Sequence, residues 1–461
     1  MGADTEAIAF GTDGWRATRD EFTADRVRMV GEAVTRYLDD EDVDGSVAIG
    51  YDPRADSRFF AEELARVIAA KGRDVTVADR DCPTPVLAWT VGRDHAGGLM
   101  ITASHNPPEY NGVKFVPGDG TPAPRAMTDA IEARLAVPDP ATEFGTVTES
   151  DLIGPYVDHA LSFVDVDLDG LSVVYDAMHG SGRGVTDRLL REAGATVERL
   201  RCERDPEFGG SAPEPVPERT GRLVELVGER SGIDLGVVND GDADRLGIVT
   251  PERGFVDASV LLATLYDAVL DADPGAGDAV RTVSTSSLVD RVATARDCDV
   301  HQTPVGFKFV ARAMADHGAA VGGEESGGYG IGAHLHNKDG VLVALRVAAA
   351  AAEIPLDRRI DALLETHGEI YQGRVSVDCP DDRKAAVVDE LTGAVPDRLA
   401  GALVAGTNDV DGCKIRLVDD TWVLVRPSGT EPKLRVYAEA DSEGRVSELL
   451  DAGRGLVESL R

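Results

Sequence analysis

The sequence predicts an α/β protein: three topologically similar α/β domains in succession, then a C-terminal α+β domain, set around one shared cleft. Three observations carry this reading. A strand–helix–strand pattern recurs along the chain, each copy runs into an apolar strand ending in a polar loop, and the texture changes beyond about residue 368.

Val47–Asp52 reads as a strand ending in a turn, and Ser57 precedes a helical pattern of Phe60, Leu64 and Ile68. Gly72 then supplies a helix C-cap before a second strand around Val75 and Val77. Leu171–Asp176 starts the same way, followed by Ser181, Leu189, Leu190, Gly194 and Val197. Both copies share a Tyr-Asp pair, a Ser six residues after the Tyr and a Val three after the Gly. A looser third copy runs from Thr282-Val283-Ser284 through Leu288, Val292 and Val300. Such internal similarity decides the architecture.

Copy one leads to Gly98–Ile101 and then Thr102-Ala103-Ser104-His105-Asn106-Pro107. Copy two leads to Leu235–Val238 and then Asn239-Asp240-Gly241-Asp242-Ala243-Asp244-Arg245. Copy three leads to Ala319–Val321 and then Gly322-Gly323-Glu324-Glu325-Ser326-Gly327-Gly328. Ligands of α/β sheets bind at the carboxyl ends of strands, so three loops in register predict one cleft. After about residue 368 come a strand at Gly373–Val377, a helix at Asp382–Leu391 and strands at Gly412–Val418, Thr421–Arg426 and Lys433–Ala438. The expected units are residues 1–148, 149–254, 255–367 and 368–461.

The 461 residues include 82 acidic side chains against 47 Lys plus Arg, a formal net charge of −35. Such a surface argues against sequence-independent nucleic-acid binding, which needs cations for phosphates. It would also repel a phosphorylated substrate at long range unless salt screens the field. Only seven of the basic residues are Lys, and abundant carboxylates with so few Lys suggest a halophilic protein. Under that pressure each surviving Lys is expected to have a task. No apolar run reaches the ~18 residues of a membrane span. Met1–Glu6 has no signal-peptide core and the five Cys form no CxxC pair, so a cytoplasmic protein with reduced thiols is expected.

Asp240, Asp242 and Asp244 alternate with small residues. Carboxylates this close repel unless a cation lies among them, and hard oxygens suit Mg²⁺. An EF-hand is excluded, because its sixth and twelfth positions are Arg245 and Pro251 here. Ser104 sits on a loop stiffened by Pro107 and Pro108, with no GxSxG elbow; beside a metal loop it becomes a candidate phosphoryl carrier. Glu324 and Ser326 offer an acceptor and a donor for neighbouring sugar hydroxyls. The segment Arg426–Arg435 presents hydroxyls, amide-exposing Gly429 and two Arg, suited to a phosphate dianion.

These four loops, in this order, resemble the α-D-phosphohexomutase superfamily of phosphoglucomutases and phosphomannomutases over essentially the whole chain. The resemblance rests on TASHNP, DGDADR, GEESGG and RPSGTEPKLR, together with Gly11-Thr12-Asp13-Gly14-Trp15-Arg16. It implies three related mixed-sheet domains and a smaller fourth around a deep cleft. It further implies that Ser104 carries the phosphoryl group and, with Asp240, Asp242 and Asp244, holds Mg²⁺. Glu324 and Ser326 would bind the sugar, and Arg426, Ser428, Gly429, Thr430 and Arg435 its phosphate. Arg16, His105, Lys114, Arg245 and Lys308 resemble cleft positions of that family, with His105 and Lys308 as candidate proton carriers.

The implied reaction interconverts hexose 1- and 6-phosphates through a bound hexose 1,6-bisphosphate. Some mannomutases acting on both sugars have His after the Ser-Gly of the sugar loop; Gly328 stands there and tilts the expectation toward glucose. Mannose and glucosamine phosphates are the alternatives. A metal-dependent sugar phosphatase with Asp240 as nucleophile is a more remote one, and a silent sugar-phosphate sensor a third. Monomer and homodimer both stay open.

Overall fold

The computed structural model describes residues 5–11, 13–141, 143–429 and 431–460. Its first sheet has the order Trp15–Thr18, Tyr110–Pro117, Gly97–Ile101, Val47–Tyr51, Val75–Ala78, Val147–Ser150. The last four are parallel and the first two join antiparallel. Val47–Tyr51 and Gly97–Ile101 are buried throughout, which is why they read as unbroken apolar runs.

The second sheet runs Gly254–Phe255, Leu246–Thr250, Leu235–Asn239, Ser172–Asp176, Thr196–Leu200, and the third Val300–Thr303, Ala279–Thr282, Val321–Gly323, Tyr329–Ile331. One arrangement repeats in all three. The first strand of the unit lies between the second and third, all parallel, and a return strand pairs antiparallel with the third. The loop joining the third strand to its return strand holds Ser104 in unit one, the aspartates in unit two and Glu324 in unit three. The three mixed sheets thus place the three polar loops equivalently.

The C-terminal sheet is antiparallel throughout, in the order Tyr371–Asp378, Lys433–Ala440, Trp422–Pro427, Cys413–Leu417, Ala402–Asn408, Arg398–Leu399. Helices Asp381–Gly393 and Glu443–Leu460 accompany it. It has its own apolar core, whereas another runs through the first three units, and a small cluster of Val283, Trp422, Leu424 and Tyr437 joins the third unit to the fourth. No helix of the described residues is long and apolar enough to cross a membrane.

Several expectations need correction. The third repeat's first strand ends at Thr282, whereas Thr282-Val283-Ser284 was expected to begin it. Ala319 and Ala320 precede the next strand, which takes in Gly322 and Gly323 instead of releasing them to the loop. Packing explains those glycines: a Cβ on Gly322 would lie 2.3 Å from Met314 Sδ and one on Gly323 would lie 2.5 Å from Leu262 Cδ1. A cut at 148 divides the strand Val147–Ser150, which belongs to the first sheet, and a cut at 254/255 divides Gly254–Phe255, which belongs to the second. Ala402–Asn408 had no alternation of apolar residues to announce it and is a strand because Cys413–Leu417 pairs with it.

Gly322→Val should lower the unfolding free energy by about 1–3 kcal/mol through overpacking against the helix Phe307–His317. Urea titration checks this, and an unmoved midpoint would contradict the packing.

Candidate active site

Ser104 is fully buried at φ +51°, a left-handed conformation that costs a non-glycine residue about 1–2 kcal/mol. Its Oγ donates to Asp240 Oδ2 at 2.8 Å and lies 3.3 Å from His105 Nδ1. The Ser104 amide donates to Thr102 Oγ1 at 2.8 Å. Gly241 makes the approach of the two loops feasible, since a Cβ there would stand 2.6 Å from the Ser104 carbonyl oxygen.

Asp240, Asp242 and Asp244 are all buried, each offering an oxygen within 4.8 Å of the others'. At such separations each pair repels by roughly 3–4 kcal/mol for an effective dielectric constant near 20. Asp240 is accordingly pushed well above the usual carboxylate range, first by burial and then by Asp242 and Asp244. Its Oδ1 accepts from the Arg245 amide at 3.0 Å. Oδ1 of Asp242 and Oδ1 of Asp244 are buried without a hydrogen-bond partner among the described residues. Orphaned carboxylate oxygens in a close trio are the donor set a hard divalent cation takes.

Cations from three other places face the trio. Lys114 Nζ lies 3.0 Å from Asp242 Oδ2, 3.2 Å from Asp244 Oδ2 and 3.0 Å from Asp13 Oδ2. Lys338 Nζ lies 2.8 Å from Asp244 Oδ2. Arg16 spans Asp13 Oδ2 at 2.8 Å and Asn106 Oδ1 at 2.7 Å, so it touches the Ser104 loop from the first strand. Burial alone would raise Asp242, but Lys114, the Thr84 hydroxyl at 2.6 Å and Lys338 hold it below its usual range. Burial opposes the charge on Lys114, and Asp13, Asp242 and Asp244 outweigh it. Burial, then Arg245 and Arg16, push His105 down and keep its ring neutral, which makes it a weak base.

Asp13, Thr84 and Lys338 were not singled out by sequence. Asp13 lay inside the quoted Gly11–Arg16 segment, and Lys338 was visible only as one of seven lysines. Its neighbour Asp339 caps the helix Gly340–Glu353 and accepts from Tyr156 Oη and His334 Nε2, which fixes the backbone that delivers the ammonium.

The third loop is pinned to the second. Arg245 forms a β-bridge with Gly328, and the Leu246 amide donates to the Gly327 carbonyl at 2.9 Å. Glu324 is buried, accepts from the Gly306 amide at 2.9 Å and is pushed up to about 7, chiefly by burial. Arg245 remains charged because Asp240, Asp244 and Glu324 outweigh its burial. Ser326 is exposed. Gly328 has a steric reason: a Cβ there would meet Lys338 Cδ at 2.7 Å, so a larger residue would displace that lysine.

The fourth loop stands apart. Arg426 pairs with Asp411 at 2.9 Å, and the same Asp411 Oδ2 accepts from the Val305 amide at 3.0 Å. Val305 adjoins Gly306, which holds Glu324, so the link from the phosphate loop to the sugar loop is short. Lys384 Nζ donates to the carbonyls of Ser428 (2.7 Å) and Glu431 (2.6 Å), fixing the turn, while Gly429 is exposed. Arg435 lies 3.3 Å from Glu431. Thr430 and Thr12 are outside the described residues. The Lys308 ammonium lies 5.4 Å from the Phe309 ring centroid; burial and then Arg125 push its pKa down, opposed by Asp129 and Asp13.

The chain matches the phosphoglucomutase/phosphomannomutase family in four parts: alpha/beta/alpha domain I over residues 7–140, domain II over 154–254, domain III over 257–367 and the C-terminal domain over 375–454. A probable phosphoglucosamine mutase of Methanopyrus kandleri is 36% identical, covering 98% of this chain and 99% of that protein. A phosphoglucomutase/phosphomannomutase of Thermococcus kodakarensis is 32% identical, with 97% and 98% covered. The crystal structure of a putative phosphomannomutase from Thermus thermophilus superposes with a TM-score of 0.85 at 33% identity, covering 98% of this chain and 99% of that one. With four family segments in order and two such relatives, the chain belongs to the phosphoglucomutase/phosphomannomutase family of phosphohexomutases, whose members are isomerases that transfer a phosphoryl group within a sugar phosphate.

Proposed function

We propose that this chain interconverts hexose 1-phosphates and hexose 6-phosphates by way of a phosphoryl group carried on Ser104. The observation that carries the reading is the buried Ser104 Oγ, 2.8 Å from Asp240 Oδ2 and in the same site as two carboxylate oxygens that have no partner among the described residues. A phosphoryl group on Oγ moves to the free hydroxyl of the bound sugar phosphate; the P–Oγ bond breaks, a P–O bond to the sugar forms, and the hydroxyl proton ends on the released Ser104 Oγ. The resulting hexose 1,6-bisphosphate turns over, and its other phosphoryl group returns to Ser104.

Mg²⁺ held by Asp240, Asp242, Asp244 and the Ser104 phosphate would neutralise charge on the transferring group. Lys114 and Lys338 pair with Asp242 and Asp244, and the Arg245 amide holds Asp240 in place. Arg16 orients the Ser104 loop through Asn106. Glu324 accepts sugar hydroxyls, and Arg426, Ser428, Gly429 and Arg435 receive the phosphate that is not reacting. Positioning and charge stabilisation supply most of the barrier reduction in phosphoryl transfer. The phosphatase reading is less well supported, because both oxygens of Asp240 are engaged, one by the Ser104 hydroxyl and one by the Arg245 amide.

For the substrate, the relative at 36% identity favours glucosamine phosphates over the glucose expected from Gly328, and the relative at 32% keeps glucose and mannose as the second reading. Assays of glucosamine, glucose and mannose 1-phosphates with catalytic bisphosphate in high KCl decide among them; the highest kcat/KM is expected for glucosamine.

Ser104→Ala should lose about 10³-fold or more in kcat while keeping its fold, and intact-mass measurement should find one phosphoryl group on Ser104 in the active wild type. Full activity in that variant would refute the carrier role. Removing divalent ions with EDTA should abolish turnover and Mg²⁺ should restore it; turnover that survives chelation counts against the metal. With a charge of −35, the protein should unfold at higher temperature in 2 M KCl than in 0.1 M. A midpoint that is flat or falling with KCl disposes of the halophilic reading.

A further inference from the structure

Arg54 lies outside every motif, between the strand Val47–Tyr51 and the helix Ser57–Ala69, and is one of the largest fully buried side chains. All five of its guanidinium N–H donors are used. Nη2 donates to the carbonyls of Ser104 and Asn106, both at 2.7 Å. Nη1 donates to those of Pro107 at 2.7 Å and Tyr110 at 3.1 Å. Nε donates to Asp52 Oδ2 at 2.9 Å. Asp52 also accepts from Thr102 Oγ1 at 2.8 Å, the hydroxyl that receives the Ser104 amide. The Phe208 ring, from the second unit, lies 4.8 Å from the guanidinium carbon and covers its face.

This network encloses the Ser104 loop from behind. Four carbonyl oxygens of the loop converge on one guanidinium. Ser104 is fully buried, and leaving its carbonyl unpaired would cost about 1–3 kcal/mol. Ser104 also holds a left-handed φ that only its surroundings can maintain. A lysine has three donors on a point charge and cannot satisfy a planar set of five.

We propose that Arg54 is a positioning residue for phosphoryl transfer: it fixes the Ser104 loop so that Oγ meets Asp240, and Phe208 locks this arrangement from the neighbouring unit. The inference rests on the mutase reading above. A misplacement of about 1 Å can cost 10²-fold in rate. The sugar and phosphate loops lie elsewhere, so substrate binding should be largely spared.

The test compares Arg54→Lys, Thr102→Val and Phe208→Leu with wild type, after wild type has been shown to turn over a hexose phosphate and to carry a phosphoryl group on Ser104. A wild type lacking both defeats the mutase reading itself, whereas the behaviour of the variants bears on Arg54 alone. Arg54→Lys should lose about 10²-fold in kcat, with KM within about threefold of wild type. Its rate of acquiring a phosphoryl group from glucose 1,6-bisphosphate, followed by intact mass, should fall by the same factor. Thr102→Val and Phe208→Leu should lose smaller amounts in kcat, again at near-constant KM. Partial recovery of kcat for Arg54→Ala in millimolar guanidinium supports the proposal further. Wild-type phosphorylation rates in Arg54→Lys, or losses in KM equal to those in kcat, overturn it. If the Arg54 variants fail to fold, unaltered kcat in both remaining variants overturns it equally.

Discussion

Three carboxylates share one buried pocket, and much of the molecule can be understood as the means of offsetting their repulsion. Within their own loop the spacers Gly241 and Ala243 carry no charge, and only Arg245 at its end is cationic. Relief comes from Lys114 on the return strand of the first unit, Lys338 ahead of a helix in the third and Arg245 at the loop's end. Breaking a buried pair by deleting one partner typically costs 3–5 kcal/mol. The units are therefore bound to one another by the same charges that form the site. A shared apolar core across the first three units, with a separate one for the fourth, is the packing counterpart of this electrostatic interlock.

The loops themselves are held by a second, recurrent device. Buried cations collect backbone carbonyls: Arg54 does so behind Ser104 and Lys384 behind the Ser428–Glu431 turn. Irregular backbone has no ladder to satisfy its polar groups. A cation on the inner side satisfies the carbonyls and leaves the outer side for a ligand. The strained φ values of Ser104 (+51°) and Ala243 (+54°) persist because such contacts over-determine the loops.

How much of this was readable depends on the range of the interactions involved. The triple repeat was legible because each strand–helix–strand unit is built from local periodicity, and the position of each polar loop follows from topology. Ser104 and the aspartates were legible because residues that touch across units, here at 2.8 Å, also lie in compact segments of unusual composition. Asp13, Thr84, Lys338 and Arg54 were not, because nothing in their local sequence says which loop they face. Glu324 and Ser326, two residues apart, have opposite surroundings, one buried and one exposed, and alternation alone could not assign them. Gly322 and Gly323 read as a flexible loop yet are strand residues, made small by Met314 and Leu262.

The scarcity of lysine connects the surface to the site. Four of the seven, Lys114, Lys338, Lys384 and Lys414, are buried. An arginine presents its charge in a planar fork, whereas an ammonium is a compact point that can lie close to several oxygens at once. Lys114 does this with Asp13, Asp242 and Asp244, all within 3.2 Å. Arginine serves where carbonyls or a carboxylate fork must be met in a plane, as at Arg54 and at Arg183 against Asp81. Lysine stands where a compact charge must meet several oxygens, and arginine where a planar fork is needed. The negative exterior and the cation-lined site are therefore compatible: at physiological ionic strength the exterior field is screened within about 8 Å, while the contacts around Ser104 act at about 3 Å between buried groups.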